Sequence, residues 1–104
     1  MAWIILGIAG ILEVVWAYAM KLSEGFTRPT PTIIMVVAMF GSFFLLAAAM
    51  RQLPLGTAYM VWTGIGAVGS FLMGIVFLGE SVSAARLAAA VLIFSGIVLM
   101  KVSS

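Results

Sequence analysis

Four long apolar runs, separated by short polar turns, leave this chain few ways to fold. The first, Ala2–Met20, spans 19 residues and holds a single charge, Glu13. The second is Thr32–Met50, and a third uncharged stretch covers Gln52–Gly79, 28 residues. The last begins near Ala84 and reaches Val102, with Arg86 and Lys101 close to its ends. About 20 apolar residues in a helix cross a hydrocarbon core of roughly 30 Å. Only helices and closed barrels satisfy their own backbone groups in lipid, and these runs do not alternate as barrel strands do. The pattern predicts an all-α integral membrane protein. Four transmembrane helices, residues 2–20, 32–50, 55–78 and 84–102, would form one domain over 1–104.

Composition narrows the chemistry. Charged residues make up 8% of the chain, against about 25% in soluble domains, too few to cover a water-soluble globule. Cys, His and Asp are absent, and Glu13, Glu24 and Glu80 are the only acids. Disulfides, thiolate or histidine metal sites, cofactor attachment and the usual catalytic triads therefore have little to draw on. An enzyme is not expected. A net charge of +2 is too small and scattered for nucleic-acid binding. The N-terminal MAWIILGIAG lacks the basic region of a cleavable signal, so the first run is expected to stay as a span.

The loop charges give a weak sense of direction. With four spans, Lys21, Arg28 and Arg86 lie on the face opposite the termini, and Arg51 and Lys101 lie on the terminal face. Orientation follows an excess of Lys and Arg on one side, and three against two hardly supplies one. The chain either reads weaker signals or inserts both ways up. Four short helices enclose little volume, and transporters often build a midplane site from two inverted repeats. Two copies in opposite orientations could supply both. Ala89 and Gly96, seven residues apart on the fourth helix, are candidates for close packing between copies.

Glu13 is the main functional candidate. A carboxylate at bilayer depth costs roughly 2.5–3.5 kcal/mol on insertion scales, and such groups mark ion or proton sites by default. At about 100° per residue, Glu13 shares a helix face with Leu6, Ala9, Gly10, Trp16, Ala17 and Met20, while Tyr18 points elsewhere. Trp3, at the end of the span, reads as an interfacial residue. The third helix offers Tyr59, Trp62, Thr63 and Gly66 on a common face, and Tyr59 also fits an interfacial belt. Ser42 is the one side-chain hydrogen-bonding group between Thr32 and Arg51. It could bond its own helix backbone or, like Tyr59, fix the rotamer of Glu13. Gly64-Ile65-Gly66 could loosen the third helix or allow close packing.

A lone carboxylate in low dielectric resists carrying its charge unaided. It can hold a proton and release it when a cation arrives. Trp16, Tyr59 and Trp62 can wall that cation through their ring faces. No buried basic residue is available as a structural partner.

The stretch Gly10-x-x-Glu13-x-x-Trp16-Ala17-x-x-x-Lys21-x-Ser23-x-Gly25-Phe26-Thr27-Arg28 resembles the small multidrug resistance transporters. So does Pro54-x-Gly56-x-Ala58-Tyr59-x-x-Trp62-Thr63-Gly64-x-Gly66, and the resemblance covers essentially the whole chain. Trp16-Ala17 and Thr63 are similar to the guanidinium-exporter subtype. The resemblance implies an antiparallel, dual-topology homodimer in a bacterial inner membrane. It implies two Glu13 carboxylates in one site, exchanging substrate for protons by alternating access. Trp16, Ser42, Tyr59 and Trp62 would be site residues, and the third helix would bend at Gly64-Ile65-Gly66; Gly10, on the Glu13 face of the first helix, is expected to line the same site. Ala89 stands where the family's interface motif often has Gly. Guanidinium matches a carboxylate with paired N–H donors, and a pocket narrowed by Trp16 favours a small flat cation. Two other readings fit the same residues: a broader exporter of quaternary ammonium and other lipophilic cations, and a non-transporting membrane subunit that regulates a larger protein.

Overall fold

A computed structural model describes residues 1–103. It contains α1 (Ala2–Leu22), α2 (Pro29–Ala49), α3 (Leu55–Phe77) and α4 (Ala84–Val102). All four are long and apolar enough to cross a membrane. The bounds differ from the sequence expectation by up to three residues, most at the start of α2. The prolines of the first loop suggest a break reaching Pro31. Instead Pro29 begins α2, with Arg28 as its extended N-cap residue. Proline is tolerated there because the first turn of a helix has no use for its N–H groups.

The turns between helices are built from few residues. After α1, Ser23 is fully buried, donates its hydroxyl to the Met20 carbonyl at 2.7 Å and accepts from the Phe26 N–H at 3.1 Å. Glu24, Gly25 and Phe26 then take φ values of 50°, 74° and 70°, reversing the chain within three residues. After α3, Gly79 adopts φ 67°, which lets the Glu80 N–H reach the Gly74 carbonyl at 3.0 Å. Ser83 caps α4 by accepting from the Arg86 N–H at 3.2 Å.

Three helices form the core. α1 packs along α2 and α3, whereas α2 and α3 meet only briefly. Leu6, Ala9, Leu46, Ala49, Ala58, Val61 and Trp62 make one buried cluster among them. Glycines set the closeness of the helices. A Cβ added at Gly10 would lie 2.6 Å from Ile65 Cγ2. One at Gly69 would overlap Val14, and one at Gly66 would overlap the Glu13 carboxylate.

α4 is different. Its backbone approaches α3 alone, and none of its residues is buried. Ile97 reaches back to the space beside Gly64, where an added Cβ would lie 2.8 Å from its Cδ1. At the terminal face Lys101 sets its ammonium 5.1 Å from the ring centroid of Trp3, a cation–π contact that ties α4 to α1. Gly96 has nothing within 4 Å of an added Cβ, and Ala89 is exposed. Both positions are therefore open within one chain, although Ile93 between them reaches toward Gly64.

Gly79 gives a direct check on the α3–α4 turn. Any side chain at φ 67° meets the left-handed penalty of about 1–2 kcal/mol. Gly79→Ala should lower unfolding stability in detergent micelles by about that amount, read by helical circular dichroism against denaturant.

Candidate functional site

Glu13 lies a little past the middle of α1 and points at α3. Gly66 makes room for it. Without a side chain at Gly66 the carboxylate lies directly on the α3 backbone, and any larger residue would collide with it. Glu13 is half-buried, but its Oε1 is buried and has no hydrogen-bond partner among the described residues. The same holds for Trp16 Nε1, one turn further along α1. Buried polar groups are nearly always paired, and leaving one unpaired costs about 1–3 kcal/mol. An acceptor and a donor left in this way, one helical turn apart, mark the place where a polar partner is needed.

Ser42 links all three core helices. It is fully buried on α2, donates its hydroxyl to the Ala9 carbonyl of α1 at 2.6 Å and accepts from Trp62 Nε1 of α3 at 2.9 Å. The serine bonds neither its own helix nor Glu13. Its single proton is committed to α1, one turn before the glutamate. Trp62 obtains the partner that a buried indole requires.

The aromatic residues form a chain across the helices. Trp16 meets Phe43 edge-on with ring centroids 6.4 Å apart. Phe43 meets Trp62 at 5.6 Å, and Trp62 meets Tyr59 at 5.6 Å. Trp62 is 6% exposed and Tyr59 52%, so the chain leads from the core to an open edge. Of the expected lining residues, Gly10 is used to seat Ile65, and Trp16, Ser42, Tyr59 and Trp62 are joined by these contacts. Tyr18 is not part of this chain of rings and packs edge-on against Phe77 of α3, ring centroids 6.3 Å apart.

Of the four residues grouped by helical spacing on α3, Trp62 and Gly66 are buried, whereas Tyr59 and Thr63 are exposed. Val61 and Gly64 beside them are buried. Thr63 follows Trp62 by about 100°, so the two side chains differ in burial although they share a broad face. Gly64 and Gly66 both serve packing, Gly64 toward Ile97 and Gly66 toward Glu13, and α3 runs through them without interruption. Phe43 was not anticipated. In sequence it is one of three phenylalanines in an apolar run, and only its place beside Ser42 hints at the site.

The Ser42 bridge can be measured. Ser42→Ala leaves the Trp62 N–H without an acceptor and should cost about 1–3 kcal/mol. Adding Trp62→Phe removes that orphan donor. Unfolding of the double variant should fall short of the summed single losses by about 0.5 kcal/mol or more.

The profile of the family described as "Small Multidrug Resistance protein" matches residues 1–93. A protein of Yersinia pseudotuberculosis serotype I (strain IP32953) named "Guanidinium exporter" is 62% identical over 104 residues, covering 100% of both chains. One of Escherichia coli (strain K12) with the same name is 59% identical over 104 residues, 100% of this chain and 99% of the relative. One of Citrobacter freundii, also so named, is 58% identical over the same coverage. With four apolar spans in place, this chain belongs to the small multidrug resistance family, as a multi-pass transport protein of the bacterial inner membrane and not an enzyme.

Proposed function

We propose that the chain exports guanidinium in exchange for protons, working as an antiparallel homodimer of dual topology. The observation that carries this reading is the Glu13 carboxylate, set on Gly66 within a span, with Oε1 buried and unpaired. Relatives that match the full length at 58–62% identity and are named guanidinium exporters support the choice of cation.

Glu13 can hold a proton or face a cation, but not both. Deprotonated, it accepts the paired N–H donors of a planar guanidinium. Protonated, it is neutral and has lost that attraction. Competition for one group converts a proton gradient into cation export, provided the site opens to one side at a time. Trp16, Phe43, Trp62 and Tyr59 supply ring faces for the cation. Ser42 fixes Trp62 and holds α2 to the segment of α1 that carries Glu13.

A second copy is required because three helices do not enclose the site. The small residues Ala89 and Gly96, both open on α4, suit close packing against its counterpart. The nearly balanced loop charges allow the two orientations. Gly64 and Gly66 are proposed as the place where α3 yields during access changes, since small residues there let α3 slide on Ile97 and Glu13.

Proton competition fixes the sign of the pH effect. Guanidinium binding should strengthen as pH rises through the ionisation of Glu13, by at most about tenfold per pH unit for one proton displaced, and then level off. Isothermal titration calorimetry across pH checks this. Affinity indifferent to pH would remove the coupling.

Glu13→Gln keeps the shape but binds neither proton nor cation. It should abolish proton-driven guanidinium uptake into proteoliposomes while the protein still folds by circular dichroism. Intact uptake would favour a subunit without a transport role of its own. Robust methyl viologen transport by the wild type, without guanidinium transport, would point to the wider cation specificity.

A further inference from the structure

A row of small residues leads along α3 from the Glu13 site toward the α3–α4 turn. Gly66, Ser70 and Gly74 are spaced four apart and so lie on one ridge of the helix. Gly66 receives the Glu13 carboxylate, and Gly74 receives the carboxylate of Glu80, which folds back from the turn. A Cβ at either glycine would overlap the acid it seats. Eight residues of helix place the two positions about 12 Å apart along the axis. At the Gly74 end of this row lies a cavity of about 70 Å³, walled by Ala17 and Tyr18 of α1, Ser70 and Gly74 of α3, and Glu80. That is room for more than one water, with hydroxyl-bearing and carboxylate residues in the wall. Ala17 stands one turn beyond Glu13 on the same face of α1.

We propose that Glu80 forms a peripheral subsite for the small organic cation, at the mouth of the α1–α3 seam that leads to Glu13. The proposal rests on the reading of Glu13 as the central cation site. Charge makes the mouth significant. This face of the protein carries Lys21, Arg28 and Arg86 against Glu24 and Glu80, so an arriving or departing cation meets a net positive surface. A carboxylate at the seam lowers that barrier where passage occurs. Glu80 is exposed and makes no ion pair among the described residues, so its charge is available to a cation from water. The notch at Gly74 holds it over the seam. Ser70, with Tyr18 also in the wall, offers a hydroxyl that can take over part of the cation's hydration on the way in.

The test compares guanidinium uptake by proteoliposomes of wild type, Glu80→Gln and Glu24→Gln at low and raised ionic strength. Glu80→Gln should raise KM about three- to tenfold at low salt with kcat little changed. The difference should shrink as salt screens the charge, whose reach is about 10 Å at 0.1 M. Glu24→Gln should behave as wild type. Gly74→Ala, which keeps the charge but displaces it from the notch, should give a smaller rise in KM. A Glu80→Gln transporter with wild-type KM at both salt concentrations overturns the subsite and leaves the Glu13 reading intact. A fall in kcat with matching loss of unfolding stability also overturns it, making Glu80 a part of the turn alone. Failure of wild type to take up guanidinium at all defeats the Glu13 reading first, and the subsite with it.

Discussion

Hydrocarbon offers a polar side chain no partner, so each one within a span must be answered by the protein or by what the protein binds. In this chain that constraint falls most heavily on Ser42. Its hydroxyl accepts the Trp62 indole N–H and donates to the Ala9 carbonyl, so one oxygen connects three helices through hydrogen bonds. The packing of α1 against α2 and α3 aligns Glu13 over Gly66 and the aromatic chain from Trp16 to Tyr59. The site follows from the bridge and from the glycines that let the backbones approach.

The spans were legible because hydrocarbon thickness and hydropathy leave little choice, and Glu13 was legible because one charge in an apolar run cannot be overlooked. Boundaries were less so. Pro29 and Pro31 read as a break, yet the first turn of a helix tolerates both. Ser42 could be singled out, but not its acceptor, because a backbone carbonyl such as that of Ala9 leaves no mark in the sequence. Helical spacing grouped Thr63 with Trp62, and only the packed structure shows that the second is buried and the first exposed. Phe43 was hidden among similar residues. The roles of Gly64 and Gly66 needed Ile97 and Glu13 in place to be seen.

The chain divides its labour unequally. α1, α2 and α3 share a core, whereas α4 leans on α3 and touches α1 through Lys101 and Trp3. An arm of this kind leaves most of its surface for lipid or for another helix. It also concentrates the connection between arm and core in a few contacts, with Ile97 at Gly64 in the span and the cation–π pair at the membrane boundary.

The Ala9 carbonyl deserves a different description from the one geometry gives it. In an α-helix the oxygen of Ala9 already accepts from the N–H four residues on, which is that of Glu13 itself. With the Ser42 hydroxyl added, this carbonyl serves two donors, one from the peptide that carries the carboxylate and one from the neighbouring helix. Its bond is softened twice over. An isotope placed on that one carbon would give an amide vibration displaced from the rest of α1. Its frequency would register whether the two helices are engaged, without any probe inside the site.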